Sequence, residues 1–307
     1  MDRLAYLPLL VALSSACDDD RLAPSPDEDS ELDRDDPPAA PATPEEDDDR
    51  VDPDPDNPSA LAGESTHLVV LPDTQHYARD YPGIFTAQTA WIADNVDTLN
   101  IRYVFHLGDI VNDATVGEWQ RARDAMANLD GRVPYALVPG NHDYQHWGRT
   151  MNRVTALNSW FEWDELRARP GFGGAYQTGR LENTYHLFSA GGHEWIAMAL
   201  EWGPRDEVVA WADQIMHEHD DRLGILITHA YLNHDDRRYD HTDTVHGQDY
   251  NPHHYDLAGS INDGEQLWQK LVRRHRFVMT LSGHVLGDGA GYLASRTDLG
   301  KIGRAHV

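Results

Sequence analysis

The feature that most constrains this chain is an alternation of short, nearly continuous apolar runs with longer amphipathic stretches from residue 67 onward. Such short runs are typical of strands covered on both faces, whereas the longer periodic stretches favour helices. Strands that alternate with helices predict an α/β fold with sheets inside and helices outside. The predicted strands are 67–71, 101–107, 134–138, 185–188, 194–200, 223–228 and 277–281, and the predicted helices are 84–98, 115–129, 152–168, 205–219 and 261–275.

The N-terminus has the character of an export signal. Residues 4–16 are apolar but too few to span a bilayer as a helix, which suits the central part of a signal peptide. The small residues directly before Cys17 resemble the lipobox of bacterial lipoproteins, which implies cleavage before Cys17 and acylation of its thiol. We therefore expect a signal peptide over 1–17 and a lipoprotein anchored in a membrane through Cys17, facing the periplasm or the cell surface. The alternative is a plain signal peptide with an incidental cysteine.

An acidic, proline-rich segment follows, and we predict a disordered tether over residues 18–64. Its part from 18 to 58 holds 18 of the 52 acidic residues and 9 of the 17 prolines, with no aromatic side chain. Such a segment buries too little apolar surface to offset the entropy of ordering it. The formal net charge of −27 therefore reflects the tether in large part, and no basic face for nucleic acid is expected elsewhere.

The C-terminal boundary is set by an unusual heptapeptide. Residues 301–307 are what the codons AAG ATC GGA AGA GCA CAC GTC encode, and that string matches a widely used sequencing adapter. We therefore expect one domain over residues 65–300, truncated at its C-terminus, followed by a translated adapter. Codons continuous with native sequence at the locus would contradict this expectation.

Five polar motifs come just after predicted strands. Because the carboxyl ends of strands in an open α/β sheet converge on one edge where ligands bind, we expect these motifs to share one site. Asp, Asn and His together supply oxygen and imidazole nitrogen, a donor set suited to Mn, Zn or Fe. Each motif alone is more often a turn, a helix cap or a structural hydrogen bond. The motifs begin at Pro72, Gly108, Gly140, Thr228 and Gly283.

In this order, Asp-x-Gln, Gly-Asp-x-x-Asn, Gly-Asn-His-Asp, a lone His and Gly-His resemble the signature of calcineurin-like metallophosphoesterases. The resemblance covers residues 66 to about 300 and implies a two-sheet β-sandwich core flanked by helices. It also implies hydrolysis of phosphate mono- or diesters by metal-activated water, with one or two divalent ions. Carried over by position, Asp73 would bind the first metal and Asp109 would bridge both. The second metal would be completed by Asn141, His229 and His284, with His142 as proton donor or charge stabiliser and Asp143 orienting His142.

The sequence departs from the commonest family pattern at two positions that serve the same metal. Gln75 stands where a histidine is usual and offers a carbonyl oxygen, whereas Leu286 stands where a second histidine is usual and offers no donor. We therefore expect a weaker first site made of Asp73, Asp109 and Gln75. The alternative is a catalytically weak lipoprotein that binds one metal. Groups that could compensate are His76, Asn112, Asp113 and Asp288.

A long polar segment over residues 234–262 separates the strand before His229 from the strand before His284. Loops of this length in compact domains are usually functional or disordered. We expect a lid over the substrate with His253, His254 and Tyr255 as substrate-binding residues. The alternative is a solvated surface loop.

Restoring a histidine at position 286 tests the assignment of the weaker site. We expect Leu286→His to strengthen metal binding at the weaker first site, because an imidazole nitrogen replaces a side chain with no donor atom. Metal titration of the wild type and the variant measures this. Unchanged stoichiometry and affinity would show that residue 286 has been aligned to the wrong position.

Overall fold

The structure is a computed structural model that describes residues 10–11, 65–144, 152–285, 291–300 and 302–306. For residues 10–11 and 302–306 only the backbone is described. Cys17, the tether, Leu286 and Asp288 lie outside the described residues. The expected signal peptide, anchor and compensating aspartate therefore stay predictions.

The first sheet is parallel and has the strand order β1-β2-β3-β4. Its last three strands are the first three predicted ones, shortened by up to two residues. Parallel pairing directs their carboxyl ends, and the polar motifs that follow, toward one edge. The strands are β1 (Leu10–Val11), β2 (His67–Leu71), β3 (Ile101–His106) and β4 (Tyr135–Leu137).

The second sheet is mixed and has the order β10-β11-β9-β8-β7-β6-β5. Strands β7, β8, β9 and β11 run parallel, and β5, β6 and β10 are antiparallel to their neighbours. The heptapeptide that we expect to derive from an adapter contributes β11, and its origin stays a prediction. The strands are β5 (Phe172–Ala175), β6 (Thr184–Ala190), β7 (His193–Leu200), β8 (Leu223–Thr228), β9 (Phe277–Leu281), β10 (Tyr292–Arg296) and β11 (Ile302–His306).

Seven α-helices lie in the described residues. The longest has 14 residues, and none of these helices is long and apolar enough to cross a membrane. Thr115 begins α3 with a capping box, in which its hydroxyl accepts from the Glu118 N–H and the Glu118 carboxylate accepts from the Thr115 N–H. The helices are α1 (Gln75–Arg79), α2 (Pro82–Asn95), α3 (Val116–Met126), α4 (Leu157–Trp160), α5 (Trp163–Arg167), α6 (Asp206–Glu218) and α7 (Gly264–Lys270).

Three apolar clusters show how these elements are layered. Alternate side chains of β2 and β3, such as Val70 and Phe105, pack against Ala197 and Ile227 of the second sheet. The opposite face of the first sheet packs on α2 and α3, and the opposite face of the second sheet packs on α6 and α7. The predicted two-sheet core flanked by helices is confirmed.

The structure contains elements that were not predicted, namely α1, β1, β5, β10 and β11, and it divides one predicted helix. The helix predicted over 152–168 is divided into α4 and α5. The backbone is extended at Phe161, whose side chain is fully buried, and this interrupts the helix. Strand β5 was not predicted because its Gly173 and Gly174 lack β propensity. They are required there because a Cβ on Gly174 would lie 2.8 Å from the Tyr185 ring.

The contact between the sheets can be tested at Phe105, which is fully buried between them. We expect Phe105→Ala to lower the free energy of unfolding by about 3–5 kcal/mol, because it removes a large apolar side chain and leaves a cavity. The exposed Val245 provides a control, whose change to Ala should cost less than about 0.5 kcal/mol. Urea denaturation measures both, and equal losses would contradict a shared core between the sheets.

Candidate metal centre

The five predicted metal ligands follow the carboxyl ends of strands from both sheets. Asp73, Asp109 and Asn141 come after β2, β3 and β4, and all three are buried. His229 follows β8 directly, and His284 comes after β9. The first sheet therefore supplies oxygen donors and the second sheet supplies imidazole nitrogens.

Three of these side chains converge closely. Ligand atoms of Asp109, His229 and His284 all lie within 4.8 Å of one another. His229 Nε2 is 3.1 Å from Asp109 Oδ2 and 3.9 Å from Asp73 Oδ1. One imidazole nitrogen is therefore shared between two carboxylates, an arrangement that favours a cation among them.

Hydrogen bonds on the far side of each ring determine which nitrogen points inward. The Nδ1–H of His229 donates to the Leu107 carbonyl at 2.9 Å, so its Nε2 carries the free lone pair. His284 Nε2–H donates to the Tyr250 carbonyl at 2.9 Å, which leaves its Nδ1 as the free donor atom. Backbone carbonyls that hold the outer nitrogen are the usual support of histidine ligands.

Several polar atoms around this point are buried without a hydrogen-bond partner among the described residues. Buried polar atoms in folded proteins are nearly always paired, so such a group needs an explanation. These oxygens and the imidazole nitrogen are donor types that divalent cations accept, and the residues present therefore fit a divalent metal. The atoms are Asp73 Oδ2, Gln75 Oε1, Asn141 Oδ1 and His229 Nε2.

The charges of the centre favour the same interpretation. Burial alone would raise the pKa of Asp109, but the attraction of His229 and His142 outweighs it and holds the pKa well below its usual value. Burial raises the pKa of Asp73 to about 6, against the pull of His229. Burial lowers the pKa of His284 to about 3, so that its ring is neutral and suited to ligation.

His229 has the opposite shift. Burial would lower its pKa, but the facing carboxylate of Asp109 raises it to about 9. The lowered pKa of Asp109 and the raised pKa of His229 have one cause, because each group stabilises the charged form of the other. Positive charge is therefore favoured between them, whether a proton or a metal carries it.

Backbone strain accompanies three of the ligands. Asp73, Asp109 and His284 have φ values of 41°, 47° and 83°, a region that residues other than glycine rarely occupy. Such strain costs about 1–3 kcal/mol per residue and concentrates at functional sites. The Asp73 carboxylate partly fixes this geometry, since its Oδ1 accepts the His284 N–H at 3.0 Å.

The structure corrects the role expected of Asp143. Its carboxylate accepts from the backbone N–H groups of Ile110, Val111 and Gly140 at 2.8–3.1 Å, so it fixes the loop after β3. The His142 ring instead donates from Nδ1 to the Asn112 carbonyl at 2.7 Å. Asn112 therefore orients His142 through its backbone, and the assignment of that role to the Asp143 side chain is wrong.

The residues predicted to bind substrate are not brought together. The Tyr255 ring lies 6.3 Å from the His284 ring and 5.1 Å from the Trp202 ring, measured between centroids, and therefore borders the centre. His253 instead contacts Gln266, 2.7 Å from its Nε2. His254 is exposed.

Two aromatic residues beside the centre were missed from the sequence. The Trp202 ring lies 4.7 Å from His284 and 5.5 Å from His229, and Tyr239 lies 5.9 Å from His284. Both side chains are fully buried, and their Nε1 and hydroxyl groups have no hydrogen-bond partner in the part of the chain that the structure describes. Trp202 comes two residues after β7, a strand-end position like that of the ligands, and this was the available signal.

Sequence comparisons relate this chain to one protein family and to one further protein. The sequence model of the calcineurin-like phosphoesterase family matches residues 66–288. A Bacillus subtilis (strain 168) protein named uncharacterized protein YvnB is 36% identical over 220 residues, which cover 70% of this chain and 15% of that protein. The chain thus spans only a small part of the length of this relative.

Three solved structures are similar at low identity. A purple acid phosphatase from yellow lupin (Lupinus luteus) seeds has a TM-score of 0.43 at 16% identity, and the match covers 71% of this chain and 37% of that one. A dimetal phosphatase from Danio rerio has a TM-score of 0.45 at 14% identity, covering 78% and 86%. A 5'-nucleotidase precursor from Thermus thermophilus has a TM-score of 0.45 at 15% identity, covering 78% and 47%.

The close packing of Gly140 against Asp109 provides a test of the role of Asp109 as a metal ligand. A Cβ on Gly140 would lie well inside contact distance of both the Asp109 carboxylate and the Asp109 backbone nitrogen, so that Asp109 must move. We expect Gly140→Ala to weaken metal binding at least about tenfold while the fold is retained. A Cβ on Gly247 would meet nothing within 4 Å, so Gly247→Ala is the control. Calorimetric titration with Mn²⁺ measures both, and equal affinities would contradict a ligand role for Asp109.

Proposed function

The chain belongs to the calcineurin-like phosphoesterase family, and on that basis we propose that it hydrolyses phosphate mono- or diesters with divalent metal ions. One observation carries the proposal most directly. Buried oxygen atoms of Asp73 and Asn141 lack hydrogen-bond partners among the described residues, and His229 Nε2 lies 3.1 Å from Asp109 Oδ2, where strand ends of both sheets meet. Paired metal positions of this kind are a recurrent means of phosphoester hydrolysis.

The donor atoms divide into two sets. Asn141, His229 and His284, together with Asp109, make a set with two imidazole nitrogens, which suits Zn, Fe or Mn. Asp73, Gln75 and Asp109 offer oxygen alone, a set that suits Mn²⁺ or another hard cation. The Gln75 Oε1, which has no hydrogen-bond partner among the described residues, supports a role for Gln75 in this first site.

Divalent ions held there would acidify a water molecule and neutralise charge on the phosphoryl oxygens. His142 stands beside them because its backbone N–H donates to Asp109 Oδ1 at 3.0 Å. Its Nδ1 is occupied by the Asn112 carbonyl, so Nε2 is the nitrogen available to substrate. In its doubly protonated form the ring can donate a proton from Nε2 to the leaving oxygen, or neutralise the charge that develops on it.

We further propose that the substrate is met outside the cytoplasm. The apolar residues 4–16 and the lipobox-like position of Cys17 support export and lipid anchoring. The acidic segment 18–64 would then separate the domain from the membrane surface. Tyr255, which borders His284, is the member of the expected substrate-binding group that stands nearest the metal centre by its ring contacts.

A metal-binding protein without turnover is the second candidate. Leu286 supplies no donor atom where the family usually has histidine, which favours a single occupied position. Metal content distinguishes the two candidates. About two equivalents at the centre of Asp73, Asp109, Asn141, His229 and His284 with turnover support the hydrolase, whereas about one equivalent there and no turnover of any phosphoester support the binding protein.

Ligand substitutions test the proposed hydrolase. We expect Asp109→Asn and His284→Ala each to reduce turnover of p-nitrophenyl phosphate or its bis ester. The loss should exceed the roughly 10–100-fold that is typical when a residue hydrogen-bonded to a metal ligand is replaced. Chelation should abolish turnover and added metal should restore it. The exposed residues Asp164 and His217 provide matched controls, as Asp164→Asn and His217→Ala. Activity retained in Asp109→Asn under Mn²⁺, Zn²⁺, Fe²⁺ and Mg²⁺ would refute the proposal.

A further inference from the structure

A second cluster of metal-binding side chains lies on the loop between β8 and α7, apart from the five ligands described above. His241, His253 and Asp263 offer ligand atoms that all lie within 4.8 Å of one another. We propose that this cluster is a separate structural site for a zinc-type cation, which clips the loop to the start of α7. The proposal stands whether or not the chain hydrolyses phosphoesters.

The distances suit a small tetrahedral ion. His241 Nδ1 is 2.8 Å and His253 Nε2 is 3.9 Å from Asp263 Oδ2. Gln266 Oε1 is 2.7 Å from His253 Nε2 and is a fourth donor. Bonds of about 2.0–2.1 Å around zinc separate neighbouring ligand atoms by about 3.3 Å, which lies within the observed range. The two rings are stacked at an interplanar angle of 22°, so at least one of these partly exposed rings must rotate out of the stack for both lone pairs to point at one ion.

The charge of the cluster also calls for a cation. The Asp263 side chain is completely buried, and its ion pairs among the described residues are with His241 and His253. Asp263 Oδ1 accepts from the Gln266 N–H at 3.1 Å and Oδ2 accepts from the His241 N–H at 2.8 Å, and positive charge beside this buried carboxylate would stabilise it further. The two imidazole rings are stacked with centroids 3.8 Å apart, and two protonated rings at that separation would repel each other. One divalent ion beside neutral rings would supply positive charge without this repulsion.

The donor types and the exposure define which ions can enter. Two imidazoles with one carboxylate and one amide oxygen favour Zn²⁺, Ni²⁺ or Cu²⁺ over Mg²⁺ or Ca²⁺. His241 and His253 have 33% and 23% of their side chains exposed, whereas Asp263 has none. The carboxylate is thus the buried base of the site, and the histidines face the solvent from which an ion would arrive.

An ion at this second site, here called the clip, would hold the loop segment that supports His284. His284 belongs to the main centre, which comprises Asp73, Asp109, Asn141, His229 and His284. Tyr250 lies between His241 and His253 in the chain, and its carbonyl accepts from His284 Nε2–H. Tyr250 also has a φ of 63°, which the surrounding loop must maintain. Asn251 donates to the same Asp263 oxygen at 3.3 Å. An ion at the clip would therefore hold the Tyr250 carbonyl in place.

Zinc content of the untagged full chain tests the proposal. After saturation with Zn²⁺ and removal of free ion, we expect the double variant His241→Ala/His253→Ala to hold about one equivalent less than the wild type. His246→Ala is the matched control, since His246 is exposed on the same loop and, among the carboxylates of the described residues, pairs with Asp243. Equal zinc in the wild type and the double variant would overturn the proposal.

Two further variants separate this site from the main centre and from a merely structural role. His229→Ala should lose metal from the main centre and keep the equivalent that depends on His253. His253→Gln keeps a side-chain N–H for Gln266 but loses the imidazole. We expect Zn²⁺ to slow proteolysis within residues 242–252 in the wild type and not in His253→Gln. Equal protection by Zn²⁺ in both would assign the cluster to hydrogen bonding alone.

Discussion

The structure depends on the attraction between the buried Asp109 carboxylate and the His229 imidazole, 3.1 Å apart and each from a different sheet. Neither charge is stable alone at such depth, and the carboxylate of Asp73 nearby increases the demand for positive charge. The glycines beside the carboxylates and the positive φ angles of Asp73, Asp109 and His284 are the local adjustments that this attraction requires.

Much of the fold was predictable from the sequence because hydrophobic periodicity is a local signal. Strands β2, β8 and β9 have the predicted bounds, since each is a continuous apolar run that ends at a polar motif. Strand β5 could not be predicted because its glycines are required by the distant Tyr185 ring. The turn at Phe161 likewise follows from burial in the core rather than from local propensity.

The candidate ligands could be predicted from their positions at strand ends, but their hydrogen bonds could not. The ligands could be proposed because five strand ends carry the same kinds of polar residue. The roles of Asp143 and Asn112 could not, because the Asn112 contact uses a backbone carbonyl and the Asp143 carboxylate binds backbone amides. Backbone groups exist at every residue, so a sequence gives no signal for which one will orient a ring. Trp202 was not predicted as a site residue because a tryptophan can serve either core packing or a binding site, and the sequence does not distinguish the two roles.

The division of donors between the sheets has a mechanical consequence. Oxygen donors follow strands of one sheet and imidazoles follow strands of the other, so the separation of the two sheets sets the distance between them. The side chains between the sheets, among them Phe105 and Ile227, act as a spacer for the coordination sphere. A substitution deep in that layer can alter metal selectivity from a distance, without contact with any ligand. The proposed chemistry of this protein would therefore depend on the thickness of its core.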